Sequence, residues 1–67
     1  MVVHIGKSVK TYRVQRFMTQ EEFAKFVGLS RDHLGRIERN EHEPHFATIK
    51  KIANKLGVEP SDLIDRD

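Results

Sequence analysis

Residues that begin or end helices recur about every ten positions along this chain of 67 residues. Between these residues, apolar side chains are spaced three and four apart, which is the period of an α-helix. No stretch alternates apolar and polar residues as a half-buried strand does. The pattern therefore predicts an all-α fold of five short helices.

Local signals set the bounds of these helices. Thr19 and Glu22 have the spacing of a capping box, in which each side chain can bind the other residue's backbone N–H. Gly28 is a typical left-handed helix end, and Ser30 can cap the helix that follows. Pro60 suits the first position of the last helix. The predicted helices comprise residues 7–16, 20–27, 31–39, 46–56 and 60–64.

The length allows one domain, which we place at residues 7–67 behind a loose N-terminal arm at 1–6. A chain this short buries about 60% of the surface exposed by its unfolded form. It leaves little room for a catalytic cleft, so we do not expect an enzyme. Because no apolar run approaches the roughly 20 residues of a membrane span, we expect a soluble, cytoplasmic protein.

A resident metal or cofactor is also not expected. The chain has no cysteine, so neither a disulfide framework nor a Cys-based zinc site is available. His42 and His45 are the only hint of a metal site. Pro44 lies between them and prevents an uninterrupted helical ligand pair, and too few further ligands are present.

Positive charge is concentrated in the first part of the chain. Residues 1–39 carry eight Lys and Arg against four acids, a net +4, whereas residues 40–67 carry four against six, a net −2. Such an asymmetry suits a chain whose first half faces a polyanion. Two differently solvated surfaces would produce the same asymmetry.

The second and third predicted helices are joined by only three residues, so they must cross steeply, as in a helix-turn-helix unit. On the third helix, Leu34 and Ile37 fall on one side and anchor it. Gly35 falls on the other side, where its cost in a helix makes sense if DNA approaches the backbone closely. A tolerated glycine on a solvated face is the alternative. The outward face comprises Arg31, Asp32, Gly35, Arg36 and Arg39.

Two further polar residues need explaining. Gln20 lies in the first turn of the second helix, where free N–H groups and the helix dipole can bind a phosphate. It could extend that site, or it could be a neutral surface residue. Glu38 lies at the buried edge of the third helix and needs a partner, for which Arg13 is our candidate. A solvated Glu38 is the alternative.

These residues together resemble the phage-repressor (Xre-type) helix-turn-helix proteins. The resemblance rests on residues 19–30 and 34–40, and it continues through Pro44 and 52–58. It extends over nearly the whole chain. It implies a compact five-helix, lambda-repressor-like DNA-binding domain with its helix-turn-helix motif at about 20–39. Members usually act as homodimers on palindromic operators.

The resemblance also assigns roles by position. Gln20 matches a phosphate-contacting glutamine, and Arg31, Asp32 and Arg36 match base-contacting positions. The pairing of Arg13 with Glu38 has a counterpart in the family as well. Two features depart from the family's pattern. Asn40 stands where a glycine is usual, which the left-handed conformation tolerates, and acids occupy a loop that is often basic.

We therefore expect a sequence-specific transcriptional regulator, a repressor, that binds double-stranded DNA. Arg31 and Arg36 would read guanine, and Asp32 would accept from cytosine N4 or instead pair with Arg36. Phosphates would be held by Arg39, Asn40 and Gln20. His33 would contact DNA or the neighbours of Leu34.

The sequence leaves alternatives for the homodimer surface and for the main partner. The homodimer surface would lie at Val58, Leu63 and Ile64, unless these side chains complete the core of the monomer. The alternative function is an antitoxin-like or protein-interaction module whose main partner is another protein. The acidic stretch that begins at Glu41 favours it.

Overall fold

The computed structural model describes residues 3–65, and it is all-helical over that range. The four α-helices are α1 (Gly6–Gln15), α2 (Gln20–Val27), α3 (Arg31–Glu38) and α4 (Phe46–Leu56). The predicted fifth α-helix is instead a single turn of 3-10 helix at Pro60–Leu63. The turn ends at Leu63, and the next residue, Ile64, is in the extended conformation.

The helices enclose a core to which each of them contributes. Leu34 and Ile37 are fully buried, as the helical spacing of α3 predicts. In the part of the chain that the structure describes, no helix is long and apolar enough to cross a membrane. The buried apolar residues are Ile5, Val9, Phe23, Ala24, Val27, Leu34, Ile37, Ile49, Ile52, Ala53, Leu56 and Leu63.

The ends of α2 and α3 have the capping interactions that the sequence predicts. The Glu22 N–H donates to Thr19 Oγ1 at 3.1 Å, and the Thr19 N–H donates to Glu22 Oε1 at 2.9 Å. Gly28 ends α2 with a φ of 78°, which a side chain would disfavour. The Ser30 hydroxyl then accepts the His33 N–H at 3.0 Å and starts α3.

The turn between α1 and α2 contains an unusual residue. Phe17 has a φ of 56°, in the left-handed region that favours glycine. Its N–H donates to the Val14 carbonyl at 2.9 Å and the Met18 N–H donates to that of Arg13 at 3.3 Å, which closes the end of α1. The Phe17 side chain is 95% exposed.

The expectation of a loose arm at residues 1–6 is wrong for residues 3–6, while Met1 and Val2 lie outside the described residues. Ile5 is buried in the core and α1 begins at Gly6. The His4 carbonyl accepts the Asp65 N–H at 2.8 Å, so the two ends of the described chain are hydrogen-bonded. The short, mixed run of polar and apolar residues at 1–6 did not indicate that Ile5 would be buried in the core.

The first turn of α1 is capped by residues distant in sequence. The N–H groups of Lys7 and Ser8 donate to the Asp65 carboxylate at 3.0 and 2.9 Å. The Gly6 N–H donates to Asn40 Oδ1 at 3.2 Å. These side chains bind N–H groups that a helix leaves unpaired at its start. The position of α1 therefore depends on both α3 and the C-terminal segment.

Gly6→Ala tests this close approach. A Cβ on Gly6 would lie 2.6 Å from the Ile37 carbonyl oxygen and 2.7 Å from that of Glu38, so the backbones would have to separate. We expect the free energy of unfolding to fall by about 1–3 kcal/mol. Urea unfolding measures it, with the exposed Lys10→Ala as the control. An unchanged stability would contradict the packing of α1 against α3.

Candidate nucleic-acid interface

The geometry of α3 separates an anchoring side from a charged side. Leu34 and Ile37 are fully buried, and the short α2–α3 turn holds the start of the helix. On the other side, four charged side chains are exposed to solvent. We call Arg31, Asp32, Arg36 and Arg39 the recognition face.

Arg36 is paired within its own helix. Its Nε lies 3.2 Å from Oδ2 of Asp32, one turn earlier, and both side chains are exposed. The sequence left two partners for Asp32, cytosine N4 and Arg36. Within the protein itself, Asp32 pairs with Arg36. An exposed pair of this kind is weak and can exchange with other partners.

Arg39 is paired with Glu41 of the loop that follows. Its Nε and Nη2 donate to the two Glu41 carboxylate oxygens at 2.7 and 3.2 Å. This hydrogen bonding raises the pKa of Arg39 and lowers the pKa of Glu41 from their ordinary values. The sequence analysis missed this pair. The sequence signal that could have indicated this pair was Asn40. A residue in the left-handed conformation turns the chain, which brings the residues on either side of it together.

Gly35 is not on open surface, contrary to the sequence-based expectation. It is buried, because the end of the Arg39 side chain lies over it. A Cβ at this position would be 3.1 Å from Arg39 Nη1 and 3.9 Å from Gln20 Oε1. The glycine therefore lets the end of the Arg39 side chain lie close to α3, whereas Gln20 would be in ordinary contact with a Cβ.

Behind the recognition face, Arg13 and Glu38 lie together. Arg13 Nε and Nη2 donate to the Glu38 carboxylate at 2.7 and 3.1 Å, and the two side chains are only 13% and 3% exposed. Arg13 Nη1 also binds the Met18 carbonyl at 2.9 Å. Gln20 Nε2 donates to Glu38 Oε1 at 3.1 Å. The pair thus links α1, α2 and α3, and it fixes the Gln20 side chain that the sequence assigns to a phosphate.

His33 and Asn40, both expected at the DNA, are engaged within the fold. The His33 ring meets the His42 ring edge-on at 5.1 Å, and its Nε2 is buried without a hydrogen-bond partner. It therefore packs against the loop, while its contact with DNA stays a prediction. Asn40 takes the predicted left-handed conformation, with a φ of 57°. Its side-chain oxygen binds the Gly6 N–H, so it supports α1.

The three residues expected at a dimer interface do not form one exposed patch. Leu63 is fully buried, so it completes the monomer core and cannot contact a second chain, which corrects its assignment. Val58 is half-buried and packs on the same core. Only Ile64 is substantially exposed, at 39%. The 3-10 turn directs Leu63 inward and leaves Ile64 at the surface.

Comparison with known proteins places this geometry in a family. A family profile described as helix-turn-helix matches residues 9–63. The chain belongs to this helix-turn-helix family, of the phage-repressor type. The immunity repressor of Bacillus phage phi105 is 32% identical over 63 residues, which is 94% of this chain and 44% of the repressor. Control protein C.BamHI of Bacillus amyloliquefaciens is 36% identical over 61 residues, 90% of this chain and 75% of that protein.

A solved structure of a family member contains DNA. The biofilm regulator SinR of Bacillus subtilis, crystallised with DNA, matches this fold with a TM-score of 0.79 and 30% identity. The match covers 88% of this chain and 95% of that one. The chain spans less than half the length of the phage repressor it matches.

Glu38→Ala tests the buried pair. It leaves the Arg13 guanidinium inside the protein without its carboxylate, which is more costly than losing an exposed pair. We expect the free energy of unfolding to fall by about 3 kcal/mol or more. Thermal or urea unfolding measures the change, and Glu43→Ala in the exposed loop is the control. Equal stability of the two variants would contradict the importance of this pair.

Gly35→Ala tests the contact between Arg39 and α3. The added methyl meets only the end of a flexible side chain, and alanine is favoured over glycine in a helix by about 1 kcal/mol. We expect the free energy of unfolding, measured with urea, to rise by up to about 1 kcal/mol. Gly57→Ala, at a φ of 72°, should be destabilising instead. A destabilised Gly35→Ala would show that the site has no room for a side chain.

Proposed function

We propose that this chain binds double-stranded DNA as a sequence-specific transcriptional regulator, a repressor, with α3 in the major groove. The observation that carries the proposal is the division of α3 into a buried apolar side and an exposed side with three guanidinium groups. Arginine is the side chain best suited to binding guanine and phosphate together on one duplex. The match to SinR, which was crystallised with DNA, supports DNA binding.

Arg31 is our first candidate for reading a base. Within residues 3–65 it makes no ion pair, so its guanidinium is available at the start of α3. Two of its N–H groups can bind O6 and N7 of one guanine. Arg36 would read a second base after leaving Asp32, whose carboxylate could then accept from cytosine N4.

Phosphate contacts would fix α3 in the groove. The first turn of α2 presents backbone N–H groups at the positive end of the helix dipole. The Gln20 amide lies beside them and is held by Glu38, so it can orient a phosphate contact from a fixed position. Arg39, at the C-terminal end of α3, would bind a phosphate in place of the Glu41 carboxylate. These contacts set register and carry no sequence information.

We further propose that two copies bind a palindromic operator, with half-sites about one helical turn apart. The family's phage-repressor character supports this arrangement. Ile64 is the one residue of the expected interface that is available to a second copy. Selection of random duplexes on the purified protein tests both proposals, because a palindromic consensus would report the symmetry and the spacing.

Arg31→Ala should remove the preference for one base pair in each half-site. A good bidentate contact contributes about 1–3 kcal/mol of discrimination, and the remaining contacts stay in place. Repeating the selection with Arg31→Ala and with Lys55→Ala, an exposed residue of α4, measures the change. If Arg31→Ala weakens binding to all sequences equally, Arg31 contacts a phosphate and does not read a base.

A protein-interaction module of the antitoxin kind is the second candidate. The exposed acidic residues Glu41 and Glu43 in the loop after α3 favour it, because negative charge beside a nucleic-acid site repels phosphates. Measuring affinity for DNA at rising salt separates the candidates. A steep linear loss on logarithmic axes indicates several phosphate contacts. No enriched sequence together with a flat salt response would favour the protein partner.

A further inference from the structure

Two of the three arginines of the recognition face are already paired with carboxylates of the protein itself. Arg36 is paired with Asp32, and Arg39 is paired with Glu41. The two pairs also act on each other, since Asp32 contributes to the raised pKa of Arg39 and Arg36 to the lowered pKa of Glu41. Only Arg31 adds uncompensated positive charge to this face of the described chain.

The backbone of Glu41 caps α3, whereas its carboxylate does not help the helix. Its backbone N–H binds the Arg36 carbonyl at 2.9 Å, which places the residue at the C-terminal end of the helix. A carboxylate there faces the negative end of the helix dipole and is unfavourable for the helix. The same backbone bond and the left-handed Asn40 hold the Glu41 side chain within reach of Arg39.

The geometry of this pair matches that of an arginine bound to phosphate. Two N–H groups of Arg39 donate to two oxygens of one anion, and the end of the side chain lies close to Gly35. Both side chains are half-exposed, so a second anion can approach and replace the carboxylate. Arg39 is thereby held in an orientation that a phosphate can take over.

We infer that Glu41 is an intramolecular competitor of the DNA backbone. This inference rests on the proposed DNA binding. The carboxylate occupies Arg39 until a phosphate displaces it, and it then remains close to the duplex as a repelling charge. It therefore weakens binding to any DNA sequence. This penalty is the same for every sequence on which Arg39 holds a phosphate, so base contacts by Arg31 and Arg36 must supply a larger share of the affinity.

The test compares Glu41→Gln with Glu43→Gln in the full chain. Both variants remove one negative charge from the same loop, but Glu43 makes no ion pair among residues 3–65. Affinity for a mixed-sequence duplex is measured by fluorescence anisotropy at several salt concentrations. Thermal unfolding checks that both variants fold, and the side chains are exposed, so little change is expected.

Glu41→Gln should bind the mixed-sequence duplex several-fold more tightly than the wild type at low salt. Its logarithmic salt dependence should be steeper by about 0.9 for each bound subunit, the contribution of one phosphate contact. The advantage over the wild type should therefore shrink about 3.5-fold when the salt concentration rises fourfold. The affinity for the selected sequence should rise by a similar factor, because a phosphate contact carries no sequence information. Glu43→Gln should show none of these effects at comparable size.

Other results overturn the inference. Equal effects of the two variants would show that only the overall charge matters. Weaker binding by Glu41→Gln would show that Glu41 orients Arg39 for the DNA and does not compete with it. In an Arg39→Ala background the effect of Glu41→Gln should become smaller, and an undiminished effect would exclude action through Arg39. If neither the wild type nor any variant binds any duplex, the proposed function fails and this inference fails with it.

Discussion

Two N–H groups of the Arg13 guanidinium bind both carboxylate oxygens of Glu38 at a place almost closed to water. A charge buried there is costly unless its partner is present with good geometry. The carboxylate also accepts from Gln20, and the guanidinium binds the Met18 carbonyl. The relative positions of α1, α2 and α3 therefore depend on one pair that each helix helps to complete.

That constraint extends to the proposed interface. Gln20 is held by Glu38 and lies close to Gly35, while the end of the Arg39 side chain covers the same glycine. The buried pair and the exposed charges are thus separated by one layer of side chains. A disturbance of the pair would move the groups that orient α3 on a duplex. Stability and the geometry of binding have a common origin in this small domain.

The recognition face combines positive residues with acids that neutralise them. A helix bearing three unpaired arginines would bind any duplex, because phosphate contacts are independent of sequence. Asp32 and Glu41 lower that general attraction while leaving the guanidinium groups able to reach bases. With a smaller sequence-independent attraction, base contacts supply a larger share of the total affinity.

Much of the fold follows from local physics and could be predicted. The Thr19 and Glu22 capping box, the left-handed Gly28 and Asn40, and the burial of Leu34 depend on near neighbours and on helical period. The buried pair was predictable too, since a carboxylate on an inward edge requires a cation. The form of the fifth helix could not be predicted. Whether a segment of four residues continues as an α-helix depends on the path of the chain after it, which here is extended from Ile64.

The sequence by itself determined the number and faces of the main helices and the place of the charged surface. The pairs of Arg36 with Asp32 and of Arg39 with Glu41 are local, because they join residues four and two positions apart. Tertiary structure alone decided which residues from the two ends of the described chain meet. Ile5 and Leu63 enter the core, and Asp65 caps α1 from the opposite end of the described chain. These contacts join groups distant in sequence, and helical periodicity carries no information about which distant groups will meet.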